Sequence, residues 1–131
     1  MAKYAYPAVF TPAEEGGYTV RFPDLEGCFT EGDNMAEAIY MAEDVLALIL
    51  YGYETEGRMI PSPSSASSLM LETDEFVNYV ACDTLEYRKM YNNKAVKKTL
   101  TIPEWLNESA SAMGLNFSQV LQEALMQKLK I

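Results

Sequence analysis

Val96-Lys97-Lys98-Thr99-Leu100-Thr101-Ile102-Pro103-Glu104 sets the plan of this chain. Lys97, Thr99 and Thr101 alternate with Lys98, Leu100 and Ile102, so a short strand presents one polar face and one mostly apolar face. Lys98 is the exception on the inner face, where its stem can lie along apolar neighbours while the ammonium reaches water. Pro103 and Glu104 then open a helix, since proline suits a first turn, and Thr101-x-x-Glu104 has the spacing of a capping box. Trp105, Leu106, Ala110 and Met113 give this helix an apolar face, and Gly114 ends it. Asn116 or Ser118 caps a second helix, with Phe117, Val120, Leu121, Ala124, Leu125 and Leu129 as its stripe.

Such a unit is incomplete alone. About 36 residues is too few for a self-sufficient core without disulfides or a metal. The strand also has no nearby hairpin mate for its backbone donors and acceptors. Pairing with the same strand of a second copy answers both needs, giving a two-stranded ribbon over four helices, so a homodimer is expected. The pattern closely resembles the ribbon-helix-helix DNA-binding family, with Lys98 to Pro103 matching the strand that runs into the first helix. That resemblance implies operator DNA as a partner, with Lys97, Thr99 and Thr101 facing base edges and Leu100 and Ile102 beneath. A two-stranded ribbon fits the major groove, and Lys and Thr are able readers there. Asn116, Phe117 and Ser118, at the start of the second helix, would offer backbone N–H groups to a phosphate. The other reading is a strand and helical hairpin that simply cap the preceding domain.

Charge divides the chain at the same place. The net charge is −9, which by itself disfavours nucleic acid. Yet residues 1–92 hold 16 acidic and 5 basic side chains, and residues 93–131 hold 3 acidic and 5 basic. Asn92-Asn93 marks the expected boundary between domains 1–92 and 93–131, which should have different partners. With 49% hydrophobic and 22% charged residues the chain can build a core. Met1-Ala2-Lys3 runs straight into an alternating pattern with no secretory h-region, and Val45 to Leu50 is too short to span a bilayer. A soluble, cytoplasmic protein without a membrane partner is expected. Cys28 and Cys82 sit in apolar settings and read as two buried, reduced thiols. Histidine is absent, which removes every imidazole base, His-based triad and His-ligated zinc site.

In the first domain, Tyr4, Tyr6, Ala8 and Phe10 share one face of a strand, in which Pro7 points to an edge position or an irregularity. Glu14-Glu15-Gly16-Gly17 is a turn, and Tyr18, Val20 and Phe22 form the returning strand of a hairpin. Pro23 to Gly27 breaks that strand, and Cys28-Phe29-Thr30 starts a third. Asn34 caps a helix, with Glu37 completing a capping box and Gly57 following its end. Met35, Ala38, Ile39, Ala42, Leu46, Ile49, Leu50 and Tyr53 recur at helical spacing, a stripe wide enough to lie on a sheet. Ile60 to Ser68 is loop chemistry, Phe76 to Cys82 is rich in β-formers, and Thr84 to Asn93 is either a short helix or a linker. The expected fold class is α+β: three or four strands with one main helix packed across them.

Gly17 to Ala38 resembles the signature of HicB-type antitoxins of type II toxin–antitoxin systems. Phe22-Pro23-Asp24-Leu25, Gly27-Cys28 and Gly32-Asp33 run into the helix carrying Ala36 and Ala38. Together with the C-terminal unit, the likeness covers nearly the whole chain. It implies a reduced RNase-H-like sheet that binds and blocks a small RNA-cleaving toxin, a HicA-type mRNA interferase. A basic ribonuclease would meet complementary charge on so acidic a domain. Asp24, Glu26 and Glu31 are the residues singled out for toxin contact, against the alternative of ordinary solvated turn residues.

Nuclease chemistry would need several carboxylates converging on metals about 4 Å apart. Asp24 and Asp33 already have structural roles at a turn and a helix start. No catalytic residue, metal or cofactor is therefore assigned, and the expectation is not an enzyme but a dimeric antitoxin that represses its own operon. The alternatives are a stand-alone ribbon-helix-helix regulator with an N-terminal sensing domain, and an RNase-H-like hydrolase.

Overall fold

A computed structural model describes residues 1–131, which divide into two compact units, Met1–Lys94 and Ala95–Ile131. The first unit contains strands β1 (Lys3–Pro12), β2 (Tyr18–Arg21), β3 (Phe29–Gly32) and β4 (Phe76–Asp83), with helices α1 (Met35–Glu56) and α2 (Thr84–Tyr91). The four strands form one antiparallel sheet in the order β3-β2-β1-β4.

The β1–β2 hairpin closes where the sequence places its turn: the Ala13 N–H donates to the Gly17 carbonyl at 3.0 Å. Gly16 and Gly17 have φ of +98° and +81°, a region that side chains disfavour. Tyr6, Ala8 and Phe10 of β1 and Val20 of β2 face Ala38, Ala42, Leu46, Leu50 and Tyr53 of α1 in the core. Phe22, Leu25 and Cys28, on either side of the Pro-Asp turn, complete that cluster.

Local chemistry fixes both ends of α1. Asn34 Oδ1 accepts from the Glu37 N–H at 2.9 Å, and Glu37 Oε1 accepts from the Asp33 N–H at 3.2 Å. This is a capping box displaced by one residue at its return bond. Gly57 closes the helix with φ +67°, and the Arg58 N–H donates to the Tyr53 carbonyl at 2.9 Å. A Cβ at Gly32 would lie 2.4 Å from Ala38 N and 2.6 Å from Ala38 Cα, so β3 seats directly on the first turn of α1.

Pro7 sits where β1 is locally an edge, as its missing N–H requires. β1 is an interior strand, and Pro7 is paired with Tyr79 of β4. Pairing with β2 ends at Val9–Arg21, so at Pro7 the strand has a neighbour on one side only, which accommodates the missing N–H. Its side chain and that of Val9 are buried on the face away from α1, where the Tyr79 hydroxyl accepts from the Ala66 N–H at 3.1 Å.

Thr84 to Asn93 resolves as α2, capped by Asp83, whose carboxylate accepts from the Leu85 N–H at 2.9 Å. The buried Thr84 hydroxyl bonds Glu54 Oε2 at 3.0 Å, and the Tyr4 hydroxyl donates to the same oxygen at 2.7 Å. Burial first, and then this carboxylate, raise the Tyr4 phenol to about 12. Tyr51, Tyr87 and Tyr91 continue the α1–α2 contact, with ring centroids 5.3 and 4.6 Å apart.

Cys28 is buried, whereas Cys82 is only half-buried, because β4 lies at the sheet edge. Burial raises both thiols, Cys28 to about 12 and Cys82 to about 11. Thiolate is therefore scarce at neutral pH. Labelling with an aromatic disulfide at about pH 8 should modify Cys28 at least about 100-fold more slowly in the native protein than in urea. Equal rates would contradict its placement in the core.

The second unit contains α3 (Glu104–Ala112) and α4 (Phe117–Leu129). Gly114 has φ +72° in the turn between them, and Asn116 caps α4 by accepting from the Gln119 N–H at 3.1 Å. The capping box expected of Thr101 and Glu104 is not formed. Pro103 takes the N-cap position without a side-chain bond, which leaves Thr101 two residues too early to reach the first turn. Residues 96–102, expected as a strand, are exposed and carry no strand pairing within the chain.

Candidate functional site

Two surfaces carry the residues singled out from the sequence. In the second unit, Lys97, Thr99 and Thr101 lie exposed on the segment before α3. No residue from Ala95 to Ile102 makes a backbone hydrogen bond within the chain. Its donors and acceptors stay available to another strand. Asn116, Phe117 and Ser118 come together at the start of α4. Asn116 Oδ1 is used by Gln119, and Ser118 Oγ accepts from Gln122 Nε2 at 3.3 Å, while the Phe117 and Ser118 amides have no acceptor in the chain.

This unit has no buried residue at all. Trp105 is 67% exposed, Leu100 57% and Leu125 51%, and Ile102, Leu106, Val120 and Leu129 are also classed as exposed. Apolar area of that extent on 37 residues is far from a folded core and resembles half of one.

In the first unit the three acidic residues do not form a cluster. Asp24 is half-buried and turned inward, accepting from the Ser64 N–H at 2.9 Å and also from the Ser64 hydroxyl. It pins the 57–75 segment to the Pro-Asp turn, which occupies both carboxylate oxygens. Glu26 in that turn and Glu31 on β3 remain exposed. No group of three His, Cys, Asp or Glu side chains converges anywhere in the structure. No helix is long and apolar enough to cross a membrane.

A different acidic surface lies beside β4. Tyr40, Glu43, Asp44 and Ala47 of α1 border a groove that continues to Glu86 and Tyr87 of α2. Their i, i+3, i+4, i+7 spacing is a second stripe on α1, visible in the sequence but overshadowed by the stronger apolar one.

Together these features define a two-part protein: an acidic sheet-and-helix unit followed by a small helical unit without a core of its own. Known proteins of this kind match it closely. The model of the HicB-like antitoxins of bacterial toxin–antitoxin systems matches residues 6–124, and the chain belongs to that family. Antitoxin HicB of Escherichia coli K12 is 41% identical over 63 residues, 48% of this chain and 46% of that protein. The chain thus spans about half the length of the curated relatives it matches. A chain from a toxin–antitoxin complex of Streptococcus pneumoniae is 31% identical, with a TM-score of 0.62 over 96% of this chain and 99% of its own. A chain of the HicA3–HicB3 toxin–antitoxin complex is 26% identical, with a TM-score of 0.50 over 61% of this chain and 99% of its own. The α+β architecture, a four-stranded antiparallel sheet with four helices, is the one seen in these structures.

Proposed function

We propose that this chain is a homodimeric, non-enzymatic antitoxin that neutralises a HicA-type mRNA interferase and represses its own operon. The first unit is a reduced RNase-H-like domain that holds the toxin by occlusion. The second is a ribbon-helix-helix domain, in which residues 96–102 of two copies pair and enter the major groove of operator DNA. Lys97, Thr99 and Thr101 then face base edges, and the Phe117 and Ser118 amides meet a phosphate. A cytoplasmic location follows from both partners.

The observation that carries this is the unfinished second unit: an alternating segment without backbone partners ahead of two helices in which no residue is buried. A second copy supplies both the missing strand and the missing core. Support for the toxin comes from family membership and from the likeness to a chain of the HicA3–HicB3 toxin–antitoxin complex. The acidic balance of residues 1–92 suits a basic ribonuclease.

Co-expression with a HicA-type mRNA interferase tests the proposal. The two proteins should co-purify, and RNA cleavage by the small protein should fall to background when this chain is in excess. Cleavage that persists at saturating antitoxin would contradict it.

A further inference from the structure

β4 is an edge strand, hydrogen-bonded to β1 on one side and to nothing on the other. Asn78, Tyr79 and Ala81 along it are exposed. One depression runs between this edge and α1, lined by Ile39, Glu43 and residues 78–81. A second opens between α1 and α2 and shares Glu43 and Ala81 with the first. The two form one continuous trough alongside an unpaired backbone.

The trough is both aromatic and acidic. Tyr40 is 66% exposed and Tyr91 60%, and both border the part of the trough between α1 and α2. Glu43 and Asp44 have no cationic partner, whereas Glu86 is already paired with Lys89 at 3.0 Å. A second copy docked here would set acidic trough against acidic trough, which like charges oppose. The charge pattern calls instead for a basic occupant, and the free strand edge for an extended one.

We infer that this trough is the docking site for a β-strand of the basic toxin, which adds to the open edge of β4 with its Lys or Arg side chains on Glu43 and Asp44. The inference rests on the antitoxin reading above and names the surface through which that reading operates. Main-chain bonds along β4 supply strand alignment, Tyr40 supplies apolar contact, and the two carboxylates select a cationic partner. The Pro-Asp turn with Glu26 and Glu31 is then peripheral.

Two variants of the full-length chain separate the surfaces: Glu43→Lys with Asp44→Lys, and Glu26→Lys with Glu31→Lys. All four positions are exposed, and lysine is a good helix former at 43 and 44. Their toxin affinity is measured by calorimetry with a HicA-type mRNA interferase that the wild-type chain binds, and amide exchange is followed across residues 76–83 with and without it. The α1 variant should bind at least about 10-fold more weakly and the turn variant within about 2-fold of wild type. Amides of β4 should exchange at least about 10-fold more slowly in the complex. Wild-type affinity in the α1 variant, or unchanged β4 exchange in the complex, overturns the docking site. Concentration-dependent protection of β4 in the free chain would make a second copy the occupant and overturn it as well. A wild-type chain that binds no toxin overturns the antitoxin reading first, and the docking site with it.

Discussion

Gly32→Ala is expected to leave the first unit without a stable native fold. The added Cβ would stand 2.4 Å from Ala38 N, 2.6 Å from Ala38 Cα and 2.8 Å from Glu37 C, all backbone atoms of the first turn of α1. None of them can rotate away as a side-chain tip would. Relief requires β3 to lift from the helix, and Gly32 is also the residue paired with Tyr18 on β2. A clash of this kind costs about 3 kcal/mol or more, a large part of the stability of a small domain. Thermal unfolding should show a loss of more than about 10 °C. A melting temperature within about 2 °C of wild type would mean that β3 and α1 are not so closely apposed.

Leu100→Asp is expected to abolish the dimer and DNA binding while sparing the first unit. In the free chain Leu100 is 57% exposed, so a single copy loses little by the change. In the paired ribbon it lies beneath the strands, against the helices, where an unpaired carboxylate costs several kcal/mol. Sedimentation equilibrium should show monomers at concentrations where wild type is dimeric, with reduced helical signal from α3 and α4. A Leu100→Asp chain that stays dimeric would place the interface elsewhere.

Features set by neighbours in sequence were legible in advance. The Gly16-Gly17 turn, the Asn34 cap, the Gly57 stop and the stripe from Ala38 to Tyr53 each depend on contacts within a few residues or on one helical period. Features set at long range were not. That β1 is an interior strand could not be read, because β4 lies some 70 residues on and shows nothing locally of where it will pair. Asp24 reads from the sequence as a residue for toxin contact or a solvated turn carboxylate, because its partner, Ser64, is 40 residues away in a serine-rich loop. Thr101 failed as a cap for a local reason: Pro103 takes the N-cap position, which moves the helix start by two residues. The acidic trough was hidden because its parts come from α1, α2 and β4, and only the α1 stripe has a visible spacing. The incomplete second unit was the clearest feature of all, since too few residues and an unpaired strand are properties of the sequence itself.

The division of labour between the units is tested most directly by Lys97→Ala. Lys97 lies on the exposed segment of the second unit. In the proposed paired ribbon it would reach DNA and take no part in holding toxin. Affinity for DNA from the chain's own promoter region should fall, and the slope of its logarithm against salt should drop by about one unit per lysine removed. Affinity for the toxin, measured on the same preparation, should match wild type. Equal losses for DNA and toxin would contradict the assignment of the two partners to two units.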